Sequence, residues 1–68
     1  MATGIVRLFN VAKGFGMITP DIGGPMLFAN RTEIRTPGVK ILKPTQRVEY
    51  DVELRAEGPA ATNIRTLK

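Results

Sequence analysis

Val48-Glu49-Tyr50-Asp51-Val52-Glu53-Leu54 alternates apolar and acidic side chains without a break. An apolar residue at every second position is the period of a strand with one face buried and one in water. This run makes the chain a β protein. It predicts that Val48, Tyr50, Val52 and Leu54 face a core while the three acids face solvent. Outward from it, turn signals recur at short intervals, at Lys13-Gly14, Gly23-Gly24-Pro25, Pro37-Gly38, Pro44 and Gly58-Pro59. The runs between them are short and rich in Ile, Val, Leu and Phe, and none keeps a helical period. Five strands are expected, over residues 3–10, 15–20, 26–30, 46–54 and 61–67, in a small all-β sandwich or barrel. Thr32-Glu33-Ile34 can form one helical turn, which Pro37 ends. Ile64, between Thr62 and Thr66, is the expected core anchor of the fifth strand.

Composition removes several functions. The 68 residues are expected to form a single domain with modest stability, since so short a chain buries only about 60% of its unfolded surface. Cys, His and Ser are all absent. That leaves no disulfide, no thiolate or imidazole metal site and few of the usual nucleophiles and acid–base groups. No enzyme activity, metal, cofactor or small-molecule substrate is expected. The first residues, with Arg7 among them, lack the apolar run of a signal peptide, and no stretch approaches the roughly 18 apolar residues of a membrane span. A cytoplasmic protein without a membrane partner is expected. Charge is uneven: residues 1–47 carry seven basic and two acidic side chains, residues 48–68 three and four, for a net +4. A basic first part suits a polyanion, although a merely solvated surface has the same composition.

The second and third strands carry the remaining signal. Alternation puts Phe15, Met17 and Thr19 on one face with Ile18 on the other. It puts Met26, Phe28 and Asn30 together, opposite Leu27 and Ala29. Gly23-Gly24-Pro25 joins these strands as a hairpin, so Phe15 and Phe28 can stand side by side, either exposed or capping a second small core. Gly14 and Gly16 flank Phe15 and leave room for a base or a backbone to approach. Arg7 and Lys13 add charge beside the rings. Aromatic rings interleaved with cations make a surface for single-stranded nucleic acid. Lys13-Gly14-Phe15-Gly16 also matches the first four positions of the ribonucleoprotein signature K/R-G-F/Y-G/A-F-V, with Met17 where a second ring belongs. A β-bulge around a buried ring gives the same Gly-Phe-Gly pattern.

Nearly the whole chain resembles the bacterial cold-shock proteins. The resemblance runs through Thr3-Gly4-Ile5-Val6-Arg7-Leu8-Phe9-Asn10, Lys13 to Asp21, Leu27-Phe28, Gln46-Arg47-Val48 and Gly58 to Ile64. It implies a five-stranded antiparallel barrel of the OB class that binds single-stranded RNA and DNA with little sequence preference, often as an RNA chaperone or a regulator of transcription or translation. Phe9, Lys13, Phe15 and Phe28 match the family's ligand-contact positions in type, and Arg7 stands where Lys is usual. Five positions depart from the pattern. Leu8 replaces Trp, Met17 replaces Phe, Asn30 replaces His, Arg31 replaces Phe and Val39 replaces Phe or Tyr. Met26 also stands where Asp is common.

The expected nucleic-acid surface is therefore Arg7, Leu8, Phe9, Lys13, Phe15, Met17, Phe28, Asn30 and Arg31. Stacking is reduced, by roughly 3–6 kcal/mol if two or three ring contacts are lost. Arg31 can stack its guanidinium or pair with phosphate, and Asn30 can hydrogen-bond a base edge. Glu49, Asp51 and Glu53 should lie away from the ligand. The rival reading takes Leu8, Met17, Met26 and Val39 as an apolar patch for protein contact or homodimerisation. A monomer is the first expectation.

Overall fold

A computed structural model describes residues 1–38 and 40–67. Its strands are β1 (Ala2–Asn10), β2 (Phe15–Pro20), β3 (Leu27–Asn30), β4 (Arg47–Arg55) and β5 (Gly58–Thr66), with one 3₁₀ turn, Arg31–Glu33, after β3. They close into a barrel in the order β1-β2-β3-β5-β4. Strand directions cannot alternate all the way round an odd-numbered ring. One neighbouring pair must run parallel, and it is β3 with β5, joined through Phe28↔Ala60 and Ala29↔Ala61. The expected five-stranded antiparallel barrel is thus the one found, with this single parallel seam where the ring closes.

The barrel interior holds Val6, Ile18, Leu27, Ala29, Ile34, Leu42, Val48, Tyr50, Ala61 and Ile64. Ile64 is the anchor its flanking threonines suggested. Ile34 leaves the 3₁₀ turn in extended conformation and bridges Ile64, so the turn ends before Pro37 is reached. Leu42 fills the core from the long connection. Gly58-Pro59, read as a turn, begins β5 instead. The reversal is the two-residue turn Ala56-Glu57, with Arg55 paired to Gly58.

The alternation in β4 holds in parity but not in burial. Val48 and Tyr50 are fully buried, yet Val52 is 54% and Leu54 84% exposed. The reason is length: β1 pairs with β4 only from Ile5↔Arg47 to Ala2↔Tyr50, so β4 runs past the end of the barrel and its last apolar side chains have nothing above them.

At that end Asp21 ties three strands together. Its carboxylate accepts from the Thr3 hydroxyl at 2.7 Å and from the Arg47 guanidinium at 2.8 Å, and its backbone N–H donates to the Thr3 carbonyl at 3.0 Å. The Thr3 hydrogen bond first, and then Arg47, hold its carboxyl below the ordinary aspartate value. A carboxylate whose pKa is lower when folded stabilises the fold above its unfolded pKa, and that contribution is lost as pH falls through the folded value. Asp21→Asn should therefore flatten the acid limb of a stability–pH curve measured by urea unfolding. An unchanged acid limb would remove this role.

Candidate nucleic-acid interface

The outer face of β1, β2 and β3 follows from their register. Phe15 lies opposite Asn30 and Met17 opposite Phe28, while Gly16 and Ile18 pair with Ala29 and Leu27 on the inner face. Phe15 and Phe28 are thus diagonal neighbours, and their rings stack with centroids 5.3 Å apart and planes 25° from parallel. Both are half-buried on the outer face, since the core is already filled beneath them. Of the two arrangements left open by the sequence, the rings adopt the surface one. They form a two-ring platform rather than a second core.

A bulge in β1 decides what joins them. Val6 pairs with Ile18 and Leu8 with Met17, which leaves Arg7 as an extra residue. An extra residue reverses the facing of everything after it. Leu8 turns outward beside Met17, and Arg7 stays exposed. Phe9 turns inward, pairs with buried Gly16 and packs against the core. Phe9, expected on the nucleic-acid surface, thus packs against the core while staying half-buried like Phe15 and Phe28.

The two glycines of the motif have separate tasks. A Cβ on Gly16 would strike the Leu8 carbonyl oxygen and approach Phe9 Cα and Cδ1 to 2.8 Å, so this glycine lets β1 and Phe9 close on β2. It admits protein backbone, not a base. Gly14 has φ +76°, and a Cβ there would lie 2.5 Å from Arg31 Cδ. The stem of Arg31 therefore rests over Gly14, and the Arg31 N–H donates to the Gly14 carbonyl at 2.9 Å. This seat, invisible in the sequence, brings Arg31 beside Lys13 and Phe15. The turn before β2 is fixed by Asn10, whose side-chain oxygen accepts from the Lys13 N–H at 3.0 Å. Asn30 is partly committed as well. Its Oδ1 accepts from the Thr32 N–H at 3.0 Å and the Thr32 hydroxyl at 3.1 Å, capping the 3₁₀ turn, so only its amide NH₂ remains to meet a base edge.

Ion pairing separates these cations from Arg35, Arg47 and Arg55, though Lys40, Lys43 and Arg65 are likewise outside the ion pairs. The three ion pairs among the described residues use Arg35, Arg47 and Arg55, with Glu33, Asp21 and Glu53. Arg7, Lys13 and Arg31 take part in none of them and stay exposed around the ring platform. Glu53, expected to lie away from the ligand, pairs with Ala60 of β5, which itself pairs with Phe28, so it stands two strands from that ring. Leu8, Met17 and Phe28 form one cross-strand row, with Met26 exposed just before β3. Val39, the fourth member of the rival apolar patch, lies outside the described residues.

Among the described residues, no group of His, Cys, Asp or Glu is placed to hold a metal ion, and no helix is long and apolar enough to cross a membrane.

The 'Cold-shock' DNA-binding domain family model matches residues 2–67. The chain is 46% identical over 67 residues to Cold shock-like protein CspA of Bordetella pertussis, covering 98% of this chain and 100% of that one. It is 45% identical over 65 residues to Cold shock-like protein CspG of Escherichia coli K12, covering 96% and 93%. Among solved structures it resembles drosophila Unr CSD456 with a TM-score of 0.80 at 21% identity, covering 98% of this chain and 26% of that longer one. The last likeness concerns the fold alone.

Proposed function

The chain belongs to the cold-shock domain family, a family of nucleic-acid binders, and on that premise we propose that it binds single-stranded RNA or DNA across the outer face of β1, β2 and β3. The observation that carries the reading is the stacked Phe15–Phe28 pair with Arg7, Lys13 and Arg31 around it. Bases stack on the two rings, and the Asn30 NH₂ donates to acceptors on a base edge. Arg7, Lys13 and Arg31 hold phosphates. Leu8 and Met17 extend the platform with apolar contact but offer no ring, so binding leans on charge. Weak, sequence-tolerant binding of this kind suits an RNA chaperone acting in the cytoplasm, and no catalytic step belongs to it.

Fluorescence titration with oligo-U and oligo-dT at two salt concentrations tests this. Three neutralised phosphates give a slope of about −2 in log K against log salt, near −0.7 each on a single strand. A slope near zero would take the three cations out of the interface.

A second reading is favoured by the Leu8–Met17–Phe28 row, which gives this same face an apolar strip suited to protein contact or to a second copy. Absence of oligonucleotide binding at low salt would leave that reading in place.

A further inference from the structure

Across the sheet from Phe15, Asn30 holds its amide in one orientation. The two residues are partners in the β2–β3 ladder, and parity puts the Asn30 side chain on the outer face with Phe28. Cross-strand partners carry their Cβ atoms about 4.5–5.5 Å apart, so a base stacked on Phe15 brings its edge to the Asn30 amide. A free amide can flip and offer either its oxygen or its NH₂. Here the Thr32 N–H decides: a backbone N–H only donates, so the atom it meets at 3.0 Å must be the oxygen. The Thr32 hydroxyl donates to the same oxygen at 3.1 Å. The NH₂ is left as the outward group, with no acceptor among the described residues. Oxygens of the neighbouring turn are engaged as well. Asn10 Oδ1 accepts from the Lys13 N–H at 3.0 Å, the Asn10 carbonyl from the Gly14 N–H at 2.7 Å and the Gly14 carbonyl from the Arg31 N–H at 2.9 Å. The side chains of Arg7, Lys13 and Arg31 carry donors only. The polar groups bordering the rings thus give hydrogen bonds and do not receive them.

We propose that Asn30, oriented by its hold on Thr32, is a specificity-determining residue that makes this face favour bases with a carbonyl over bases with an amino group at the same ring position. This rests on the reading of the face as a single-strand interface. Uracil carries a carbonyl on either side of its N3–H, so an acceptor meets the Asn30 NH₂ whichever way the stacked ring lies. Cytosine carries a carbonyl on one side and an amino group on the other, and in the second orientation donor faces donor. Hypoxanthine and adenine make the same comparison at position 6 of a purine, with oxygen in one and NH₂ in the other. The choice is therefore made by functional group and not by ring size, and it adds a bias to binding that otherwise tolerates any sequence. Stacking on Phe15 and Phe28 does not produce it, because every base has a π-face.

Fluorescence titration of short oligo-U, oligo-C, oligo-I and oligo-A at low salt tests the proposal. Wild type should bind U over C, and I over A, by about 2- to 13-fold, the worth of one hydrogen bond. Asn30→Ser keeps a hydroxyl to accept from the Thr32 N–H but brings no amide to the face, so both ratios should fall to about one. Asn30→Asp also keeps the cap and turns an acceptor outward in place of the NH₂. Its added charge weakens binding of all four strands, and both ratios should invert in favour of C and A. Equal affinities in wild type would overturn the proposal. So would a wild-type bias that Asn30→Ser leaves intact, since the bias would then belong to stacking. Binding of none of the four strands would instead bring down the single-strand reading itself, and this proposal with it.

Discussion

Phe15→Ala is expected to weaken oligo-U binding by about 5- to 150-fold, the equivalent of the roughly 1–3 kcal/mol that a base stacked on an aromatic ring contributes. Phe28→Ala should fall in the same range. The two rings lie 5.3 Å apart, so each also holds the other in place. A stacked aromatic pair is coupled by about 0.5–1.5 kcal/mol, and the double replacement should depart from the sum of the singles by about that much. The phosphate contacts of Arg7, Lys13 and Arg31 survive these changes, so the salt slope should stay near its wild-type value. Parallel titrations of the two single variants and the double variant supply all three quantities. Affinity unchanged by either replacement would remove stacking from the account and leave only the cations.

Gly16→Ala is expected to cost about 1–3 kcal/mol of stability, because the added methyl meets backbone rather than a movable side chain. The Leu8 carbonyl and Phe9 Cα belong to the strand hydrogen-bonded to β2, so relief requires the two strands to part. A domain of this size loses roughly 4–8 °C of melting temperature per kcal/mol, so a drop of about 4–24 °C follows. Met17→Ala, one position along on the outer face, is the control and should cost less. Thermal unfolding of both variants by circular dichroism makes the comparison. An equal or larger loss for Met17→Ala would mean that the close approach at Gly16 is not what holds β1 to β2.

The two replacements draw on different parts of one six-residue motif, and they mark what the sequence could express. Alternation in β2 and β3 is a local property, and it placed Phe15, Met17 and Phe28 on one face and Ile18, Leu27 and Ala29 on the other as found. The β4 pattern likewise had the right parity through Leu54. What was not legible depends on neighbours distant in the chain. The bulge at Arg7 appears only when β1 is laid against β2, and it sends Phe9 inward. The burial of Val52 and Leu54 fails because β1 begins too late to cover them. The parallel β3–β5 seam follows from closing five strands into a ring, not from any residue. Arg31 gains its seat from Gly14, a residue 17 positions earlier, and Asn30 spends its oxygen on Thr32. The departures from the family pattern were visible as letters. Their consequence, two stacked rings bordered by three cations outside the ion pairs of the described residues, needed the register.

The central claim is that this face binds single strands, and one titration tests it most directly. Labelled oligo-U at low salt is titrated with the wild-type chain, and a duplex of equal length is then added as competitor. The account predicts saturable binding of the single strand, with little displacement by the duplex, whose bases are already stacked and cannot reach Phe15 and Phe28. No saturable binding at low salt would contradict it, and so would displacement by duplex as efficient as by unlabelled oligo-U.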